Sequence, residues 1–344
     1  MGLQISEIIP RKEISIESLK GKIIAVDAFN TIYQFLSTIR QPDGTPLMDS
    51  RKRITSHLSG LFYRNVNLLT QGLRLVYVFD GKPPEMKGAT NEARLAAKEE
   101  ARAKYEAART AMDTEAMARY SRQTTHLTSD IIEESKMLLS ALGIPVVQAP
   151  GEGEAQAAYI CRTNEEVYAA ASQDYDALLF GSPKLIQNLT LARKRRLASG
   201  LTVPVQTELI ELDDVLNTLQ LNHEQLISLG ILVGTDYNPG GIKGIGPKKA
   251  LQIVRQYQQP EPIFKHIENQ GISFDFDWQK IFSLFKNPDV TRSYSMKEGK
   301  PDENKLDKIL CEEHDFSRER LDSALEKLKK QDESKKQSDL KKWF

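Results

Sequence analysis

The chain has 344 residues, 40% of them hydrophobic, which is enough for one large globular domain. Its 47 basic and 47 acidic residues cancel, but this balance does not exclude a nucleic-acid partner, because acids gathered in one site can offset bases spread over a binding face. Two cysteines without a CxxC motif and five scattered histidines argue against disulfides and zinc, and no apolar run approaches the ~20 residues that span a bilayer.

Short apolar runs predict buried strands, and helical periodicity fills the intervals between them. The runs lie at residues 23–26, 73–79, 145–147 and 167–171, and the clearest helical pattern covers residues 129–142. Strands that alternate with helices predict an α/β fold with a central, mostly parallel sheet flanked by helices.

Two stretches depart from this rhythm. Residues 82–128 are rich in Ala, Arg, Lys and Glu but poor in large apolar side chains, so we expect helix that stands off the core and moves. From about residue 208 onward the pattern is helical throughout. Residues 327–344 are mostly charged and polar, which predicts a flexible tail.

Acidic residues follow the end of each predicted strand and of a helical run over residues 226–233. In open parallel sheets, ligands bind outside the carboxyl ends of the strands, so we expect these side chains to converge on one edge. Two pairs of these acids, Glu152 with Glu154 and Asp174 with Asp176, are spaced i, i+2. On extended backbone this spacing would place both side chains of a pair on one face. The seven acids are Asp27, Asp80, Glu152, Glu154, Asp174, Asp176 and Asp236.

Carboxylates crowded together repel each other and raise each other's pKa, so such a cluster requires cations. All-oxygen ligands favour Mg²⁺ or Mn²⁺ over zinc. Two such ions ~4 Å apart would suit in-line attack of water on a phosphodiester bond. A helix cap or a surface turn explains any single acid equally well, but it explains poorly why all seven lie at strand or helix ends.

At these acids the sequence resembles the flap endonuclease family, the structure-specific 5′ nucleases of archaea and eukaryotes. The resemblance lies in residues 26–28, 78–84, 149–155, 172–176 and 234–237 and extends over nearly the whole chain. It implies a PIN-like nuclease fold in which the seven acids hold two Mg²⁺ ions per chain, with Mn²⁺ able to substitute. It also implies cleavage of branched DNA that carries a 5′ single-stranded flap, with 5′–3′ exonuclease activity as well, in lagging-strand maturation and DNA repair.

The same resemblance divides the chain. It implies one nuclease domain over residues 1–326, with an N-terminal region at 1–98, a helical arch at about 82–128, an internal region at 116–258 and a helical part at 259–326. Gly153 occupies a position where relatives often carry alanine. This difference from the family pattern is expected to involve no metal ligand.

Basic and aromatic residues near these motifs are candidates for DNA contacts. The resemblance implies catalytic roles for Lys87 and Arg94, which would hold the scissile phosphate. It also implies DNA contacts from Gly2 and from Tyr33, which would stack on a base, although a half-buried structural tyrosine remains the alternative for Tyr33.

A glycine-rich turn over residues 240–250 opens a helix, and its free backbone N–H groups could bind a phosphate beside two lysines. It is similar to a helix-hairpin-helix type element, for which the family implies a K⁺ ion, but a plain tight turn is the alternative. The candidate DNA-binding residues here are Gly244, Gly246, Lys248 and Lys249.

The last eight residues are similar to the clamp-binding motif of partners of the sliding clamp PCNA. Gln337, Leu340, Trp343 and Phe344 would form a hydrophobic plug with a polar anchor, unless the two aromatic side chains fold back onto the body. We expect a monomer without membrane association, located in an archaeal cytoplasm or, in a eukaryote, in the nucleus. The rival hypotheses are a related nuclease acting on bubbles or four-way junctions and a non-catalytic DNA-binding scaffold.

Overall fold

A computed structural model describes residues 3–41, 43–82, 99–105, 107–108, 110–111, 113, 116, 120, 126–190, 194–196 and 202–341. For residues 194–196, 202–204, 332 and 334–341 it describes the backbone only. None of the described helices combines the length and the apolar character that crossing a membrane requires.

A seven-stranded sheet organises the fold, with strands in the order β1-β9-β6-β5-β2-β3-β4. Strands β6, β5, β2, β3 and β4 run parallel, whereas β9 is antiparallel to both β6 and β1. A two-stranded hairpin of β7 and β8 stands apart. The strands are β1 (Lys12–Ile14), β2 (Ile23–Asp27), β3 (Arg74–Phe79), β4 (Val146–Gln148), β5 (Val167–Ala171), β6 (Lys184–Gln187), β7 (Lys194–Arg196), β8 (Thr202–Pro204) and β9 (Thr207–Glu211).

The central strand β2 shows why the sheet is buried on both faces. All five of its residues are buried, and successive side chains enter different clusters. Ile24 and Val26 belong to the larger core, whereas Ile23 and Ala25 belong to a smaller core on the other face. This alternation explains why the strand reads as an unbroken apolar run in the sequence.

Helices cover both faces of the sheet, so the predicted fold class is confirmed. The larger core includes side chains of α1, α2, α3 and α12, whereas α4 contributes to the smaller one, and a third cluster involves α5 to α10. The helices are α1 (Ala28–Thr38), α2 (Ser56–Thr70), α3 (Ser129–Ala141), α4 (Gly153–Thr163), α5 (Asp176–Leu179), α6 (Leu212–Leu219), α7 (His223–Val233), α8 (Pro247–Val254), α9 (Pro260–Asn269), α10 (Trp278–Lys286), α11 (Glu303–Asp307) and α12 (Arg318–Lys341).

The sequence pattern located strands β2 to β5 but not β1, β6 and β9, which form the other side of the sheet. The expectation of helix only from about residue 208 is wrong at its start, because β9 occupies Thr207–Glu211 before α6 begins. Strand β1 has one apolar residue and β6 has two, too few to form an apolar run, whereas the equally short β4 is preceded by Ile144 and Pro145.

The expected tail needs correction at its start. Helix α12 continues through Lys341, past the boundary that we placed at residue 326. Leu328 is buried in the larger core, and Lys329 forms an ion pair with Glu303 at 2.6 Å, so tertiary contacts hold the helix beyond that boundary. The other regional boundaries stay predictions, and most of the expected arch lies outside the described residues, apart from a helical stretch at 99–105.

A buried polar network joins parts of the chain that are distant in sequence. His314 lies with one ring nitrogen 3.1 Å from Asp49 and the other 3.4 Å from Glu134, and His57 lies 3.0 Å from the second oxygen of Glu134. Arg53 donates to Asp49 at 2.7 Å. Burial favours a higher pKa of Glu134, but the hydrogen bonds from His314 and His57 outweigh it and bring that pKa down to about 2. The two histidines that looked scattered in sequence therefore share one carboxylate.

The chain segments after β3 and β4 cross at very short range. Gly81 donates its N–H to the carbonyl of Gly151 at 2.6 Å, and Lys82 donates to the carbonyl of Pro150 at 3.1 Å. A Cβ atom on Gly81 would lie 2.3 Å from the carbonyl oxygens of both Ala149 and Pro150. Only glycine permits this crossing, which brings the residue after β3 close to the residues after β4.

We predict that Gly81→Ala destabilises the fold by about 1–3 kcal/mol, because two backbone oxygens must move away from the new methyl group. Urea unfolding followed by circular dichroism measures this loss. Gly246→Ala is the matched control, since a Cβ at Gly246 meets nothing within 4 Å and its φ of −87° suits any residue. Equal stabilities for the two variants would contradict the crowding argument.

Candidate active site

The acidic residues gather where the strand order reverses. From β2 the chain passes to β3 and β4 on one side, whereas β5 and β6 lie on the other side. Asp27 ends β2 and Asp80 directly follows β3, and the remaining acids follow β4, β5 and α7. This reversal is the point at which open α/β sheets bind their ligands.

Helix starts, rather than extended backbone, orient several of these acids. Glu152 occupies the N-cap position of α4 with Glu154 in its first turn, and Asp176 is the first residue of α5. Asp27 caps α1 by accepting the N–H of Asn30 at 3.0 Å. Our expectation that the i, i+2 pairs sit on extended strands is therefore wrong. The partial positive charge of helix N-termini instead faces the acids.

Neutral donors hold the carboxylates in place. Ser172 directs its hydroxyl to Glu154 at 2.6 Å and to Asp27 at 3.2 Å. The backbone N–H of Gly153 donates to Asp80 at 2.9 Å, and Tyr237 donates its hydroxyl to Glu152. These bonds join acids from three different segments of the chain, the end of β2, the residue after β3 and the start of α4.

Asp236 lies in a tightly folded loop that follows α7. The side-chain oxygen of Asn238 accepts from the N–H and the hydroxyl of Thr235, and its amide group donates to the carbonyl of Ile231 at 2.7 Å. Gly241 has a φ of +57°, and a Cβ there would lie 2.3 Å from the carbonyl oxygen of Leu232. The loop therefore returns onto the end of α7 and fixes the position of Asp236.

Burial and mutual repulsion raise the pKa values of the acids. Burial, reinforced by the charge of Asp80, raises the pKa of Asp27 to about 7. Burial, followed by repulsion from Asp174, raises the pKa of Glu154 well above its usual range. The pKa of Asp174 is raised by burial and then by Asp236. The cluster is thus electrostatically unfavourable when it is ionised.

The chemistry of the cluster fits hard divalent cations. Its donors are carboxylate oxygens, which Mg²⁺ and Mn²⁺ prefer, and added positive charge would relieve the repulsion that raises the pKa values. Among the described residues, no three His, Cys, Asp or Glu side chains are already arranged to hold a metal ion. Glu152 and Glu154 accept hydrogen bonds from the hydroxyls of Tyr237 and Ser172. These neutral hydroxyls orient the carboxylates and leave their negative charge available to a cation.

The sequence did not single out Ser172, Tyr237 or Asn238. Serine and asparagine are common in turns, so residue type gave no signal beyond their position next to the acids. Tyr237 could have been noticed, because it directly follows Asp236. All three residues are buried, and each is at most 6% exposed.

The expected DNA-binding residues are described only in part. Tyr33 is 40% exposed on α1, and Lys248 and Lys249 are exposed at the start of α8. Gly244 has a φ of +82° in the turn before this helix, and Gly246 occupies its N-cap position.

The other expected contacts lie wholly or partly outside the described residues. Lys87, Arg94, Gly2, Trp343 and Phe344 fall outside, although Leu3 donates its N–H to Asp174 at 3.1 Å. Only the backbone of Gln337 and Leu340 is described, within α12.

Comparison with known proteins identifies the family. Residues 3–101 match the XPG N-terminal domain, and residues 143–236 match the XPG I-region. Flap endonuclease 1 of Pyrococcus abyssi is 53% identical over 345 residues, which span 100% of this chain and 98% of that protein. The chain belongs to the flap endonuclease family.

Solved structures agree with this assignment. Flap endonuclease-1 from Methanococcus jannaschii is 39% identical with a TM-score of 0.76, covering 97% of this chain and 100% of that one. The catalytic core of Rad2 in complex with a DNA substrate is 26% identical with a TM-score of 0.72, covering 95% and 100%. The predicted family, nuclease activity and PIN-like fold are therefore confirmed.

The raised pKa of Asp27 makes a prediction for this flap endonuclease without metal. The unfolded chain ionises Asp27 near its ordinary pKa of 3.8, whereas the folded chain keeps the proton up to about pH 7. Stability should therefore fall as the pH rises from about 4 to 7 and then level off. Asp27→Asn does not titrate and still caps α1, so it should be more stable than wild type by about 4 kcal/mol at pH 8, but not at pH 4.

Urea unfolding in EDTA at pH 4, 6 and 8 measures this difference. Asp302→Asn is the matched control, because Asp302 is also a helix N-cap but its pKa is lowered by the N–H of Lys305. That variant should be no more stable than wild type at any pH. Parallel stability profiles for wild type and Asp27→Asn would contradict the electrostatic argument.

Proposed function

We propose that this flap endonuclease hydrolyses a phosphodiester bond in branched DNA that carries a 5′ single-stranded flap. The observation that carries the proposal is the gathering of seven acids at the strand-order reversal, where they raise one another's pKa values and where Ser172 bridges Glu154 and Asp27. Loss of catalysis rarely leaves such an unfavourable cluster in place, which argues against a non-catalytic scaffold.

The carboxylates are proposed to hold two divalent cations, with Mg²⁺ as the resident ion and Mn²⁺ as a substitute. Bound ions of this kind lower the pKa of the attacking water and offset charge on the leaving oxygen. The chain's own contribution is to fix the acids: α4 and α5 supply Glu152, Glu154 and Asp176 from their N-terminal turns, and the buried setting excludes competing water.

Basic residues of the arch are proposed to act on the opposite side of the scissile phosphate. Lys87 and Arg94 are assigned there by their match to family motifs, as charge-assisted donors to phosphate oxygens. Tyr33 is exposed on α1, six residues after Asp27, which suits stacking on a base next to the cut.

The turn before α8 is proposed to bind the DNA backbone. Gly246 caps this helix without any side-chain hydrogen bond, so the first N–H groups of α8 are available to a phosphate. Lys248 is 78% exposed, and its only ion pair among the described residues is a long one, 3.5 Å from Glu7. A K⁺ ion at the carbonyls of this turn is part of the same proposal.

We place the enzyme in DNA replication and repair, acting as a monomer, with exonuclease activity on the same 5′ ends. The two cysteines are free, as expected in a reducing cytoplasm. The archaeal sources of the similar proteins support a cytoplasmic location.

Replacing one acid should separate chemistry from binding. Asp176→Asn should reduce single-turnover cleavage of a flap substrate in Mg²⁺ by about 10³-fold or more, because the site loses a charged ligand. Affinity for the same substrate in Ca²⁺ should stay within about threefold, since removing a negative charge does not weaken phosphate binding. Asp213→Asn, an exposed acid in the first turn of α6, is the charge-matched control. Cleavage by wild type that persists in EDTA would refute the metal-ion proposal.

The lysines of α8 should set part of the salt dependence of DNA binding. Removing both Lys248 and Lys249 should lower the slope of log affinity against log salt by about two units, if each contacts one phosphate. Fluorescence anisotropy with a flap substrate at several salt concentrations measures the slope. The adjacent, exposed pair Lys329 and Lys330 on α12 provides the control double variant. A slope that falls equally in both double variants would place the duplex elsewhere.

The end of the chain is proposed to bind the sliding clamp. Its motif, Gln337 with Leu340, Trp343 and Phe344, begins in the last part of α12, and the polar residues before it would connect it to the body of the enzyme. Core contacts of α12 are described as far as Leu328, well before the motif begins.

Deleting residues 337–344 should therefore leave clamp-free cleavage within about twofold of wild type, while abolishing stimulation by PCNA. Steady-state cleavage with and without the clamp measures both effects. Trp343→Ala with Phe344→Ala should reproduce the deletion without shortening the chain. Stimulation that survives the deletion would refute the motif, and loss of clamp-free activity would indicate that the aromatics fold back onto the body.

A further inference from the structure

Ser172 lies at the point where the acids from both halves of the sheet meet. It directly follows β5, and β5 pairs with β2, whose last residue is Asp27. Ser172 is only 6% exposed. Its hydroxyl is therefore inside the cluster, although the seven expected ligands do not include it.

The hydrogen bonds described for this hydroxyl all lie within the acidic site. Its single hydrogen faces Glu154 Oε1 at 2.6 Å and, more distantly, Asp27 Oδ2 at 3.2 Å. Its oxygen accepts the backbone N–H of Asp174 at 3.2 Å. One neutral group thus touches three segments that carry acids, the end of β2, the first turn of α4 and the turn after β5. A serine kept only for packing would need none of these contacts.

We propose, on the basis of the metal-dependent function above, that Ser172 is a positioning residue of the catalytic centre. Its hydroxyl fixes the side-chain rotation of Glu154 and its spacing from Asp27, so that the free carboxylate oxygens face the cation. Without it, two buried carboxylates that repel each other turn apart, and that rotation must be reversed before a cation binds. Groups that orient metal ligands in this way commonly contribute 10–100-fold to metal affinity, by the general behaviour of outer-shell partners.

Variants with threonine and with valine at position 172 distinguish the effect of the hydroxyl from the effect of side-chain volume. The two side chains have nearly the same shape, but only threonine retains the hydroxyl. Calorimetric titration of the DNA-free full-length chain with Ca²⁺ and Mg²⁺ measures metal affinity independently of cleavage. Single-turnover cleavage of a flap substrate over a range of Mg²⁺ concentrations gives the half-saturating Mg²⁺.

We expect Ser172→Val to weaken metal affinity and to raise the half-saturating Mg²⁺ by about tenfold, with most of the rate recovered at high Mg²⁺. Ser172→Thr should stay within about twofold of wild type in both measurements. Ser135→Ala is the control, because Ser135 is also a buried serine but its hydroxyl bonds the carbonyl of Ile131 within α3. It should leave metal affinity unchanged.

A valine variant that binds metal as tightly as wild type would overturn the role of Ser172, even if wild type binds Mg²⁺ and cleaves normally. A threonine variant as weak as the valine variant would overturn it as well, since volume rather than the hydroxyl would then decide. Failure of the proposed function has a different signature, in which wild type itself neither binds divalent cations nor cleaves the flap substrate. Circular dichroism of each variant in EDTA confirms that the compared proteins are folded.

Discussion

Repulsion among carboxylates that a parallel sheet brings to one edge is the constraint on which the rest of this structure depends. Strand polarity places Asp27 and Asp80 side by side, and burial then raises the pKa of Asp27 and of the neighbouring Glu154. The fold offsets this cost with neutral groups: helix N-termini, the Ser172 hydroxyl and the Gly153 N–H. Neutral donors orient carboxylates without neutralising them, so the cluster keeps its affinity for cations.

Strand ends alone would not bring all seven acids together, and close backbone crossings complete the set. The crossing at Gly81 moves Asp80 next to the start of α4, where Gly153 accommodates it; a Cβ on Gly153 would lie 2.5 Å from Asp80 Oδ1. Gly241 lets the loop after α7 return onto that helix and deliver Asp236. Gly81 and Gly241 are therefore needed to build the active site, although they bear no functional group. The expectation that the departure from alanine at position 153 involves no ligand is wrong, because the Gly153 N–H donates to Asp80.

Sequence reasoning predicted strands β2 to β5 and the acids because both leave strong local signals. Fully buried strands are continuous apolar runs, and an acid at the end of each run is easy to see. It failed at β6 and β9, where antiparallel pairing between short segments depends on tertiary contacts rather than on local pattern. It missed Ser172 and the pairing of His57 with His314 for a related reason, since nothing in the local sequence distinguishes a hydroxyl or imidazole that meets a distant carboxylate.

The fold contains two groups of buried carboxylates, and their pKa values are shifted in opposite directions. Beside α3, Arg53 and His314 donate to Asp49, while His314 and His57 donate to Glu134 and bring its pKa down to about 2. At the sheet edge, the interactions that dominate Asp27, Glu154 and Asp174 are burial and other acids, and their pKa values are raised. The first arrangement is complete within the chain and ties four segments together. The second is stabilised only when positive charge arrives from outside, so the same physical chemistry that makes one cluster structural makes the other a binding site for cations and, through them, for phosphate.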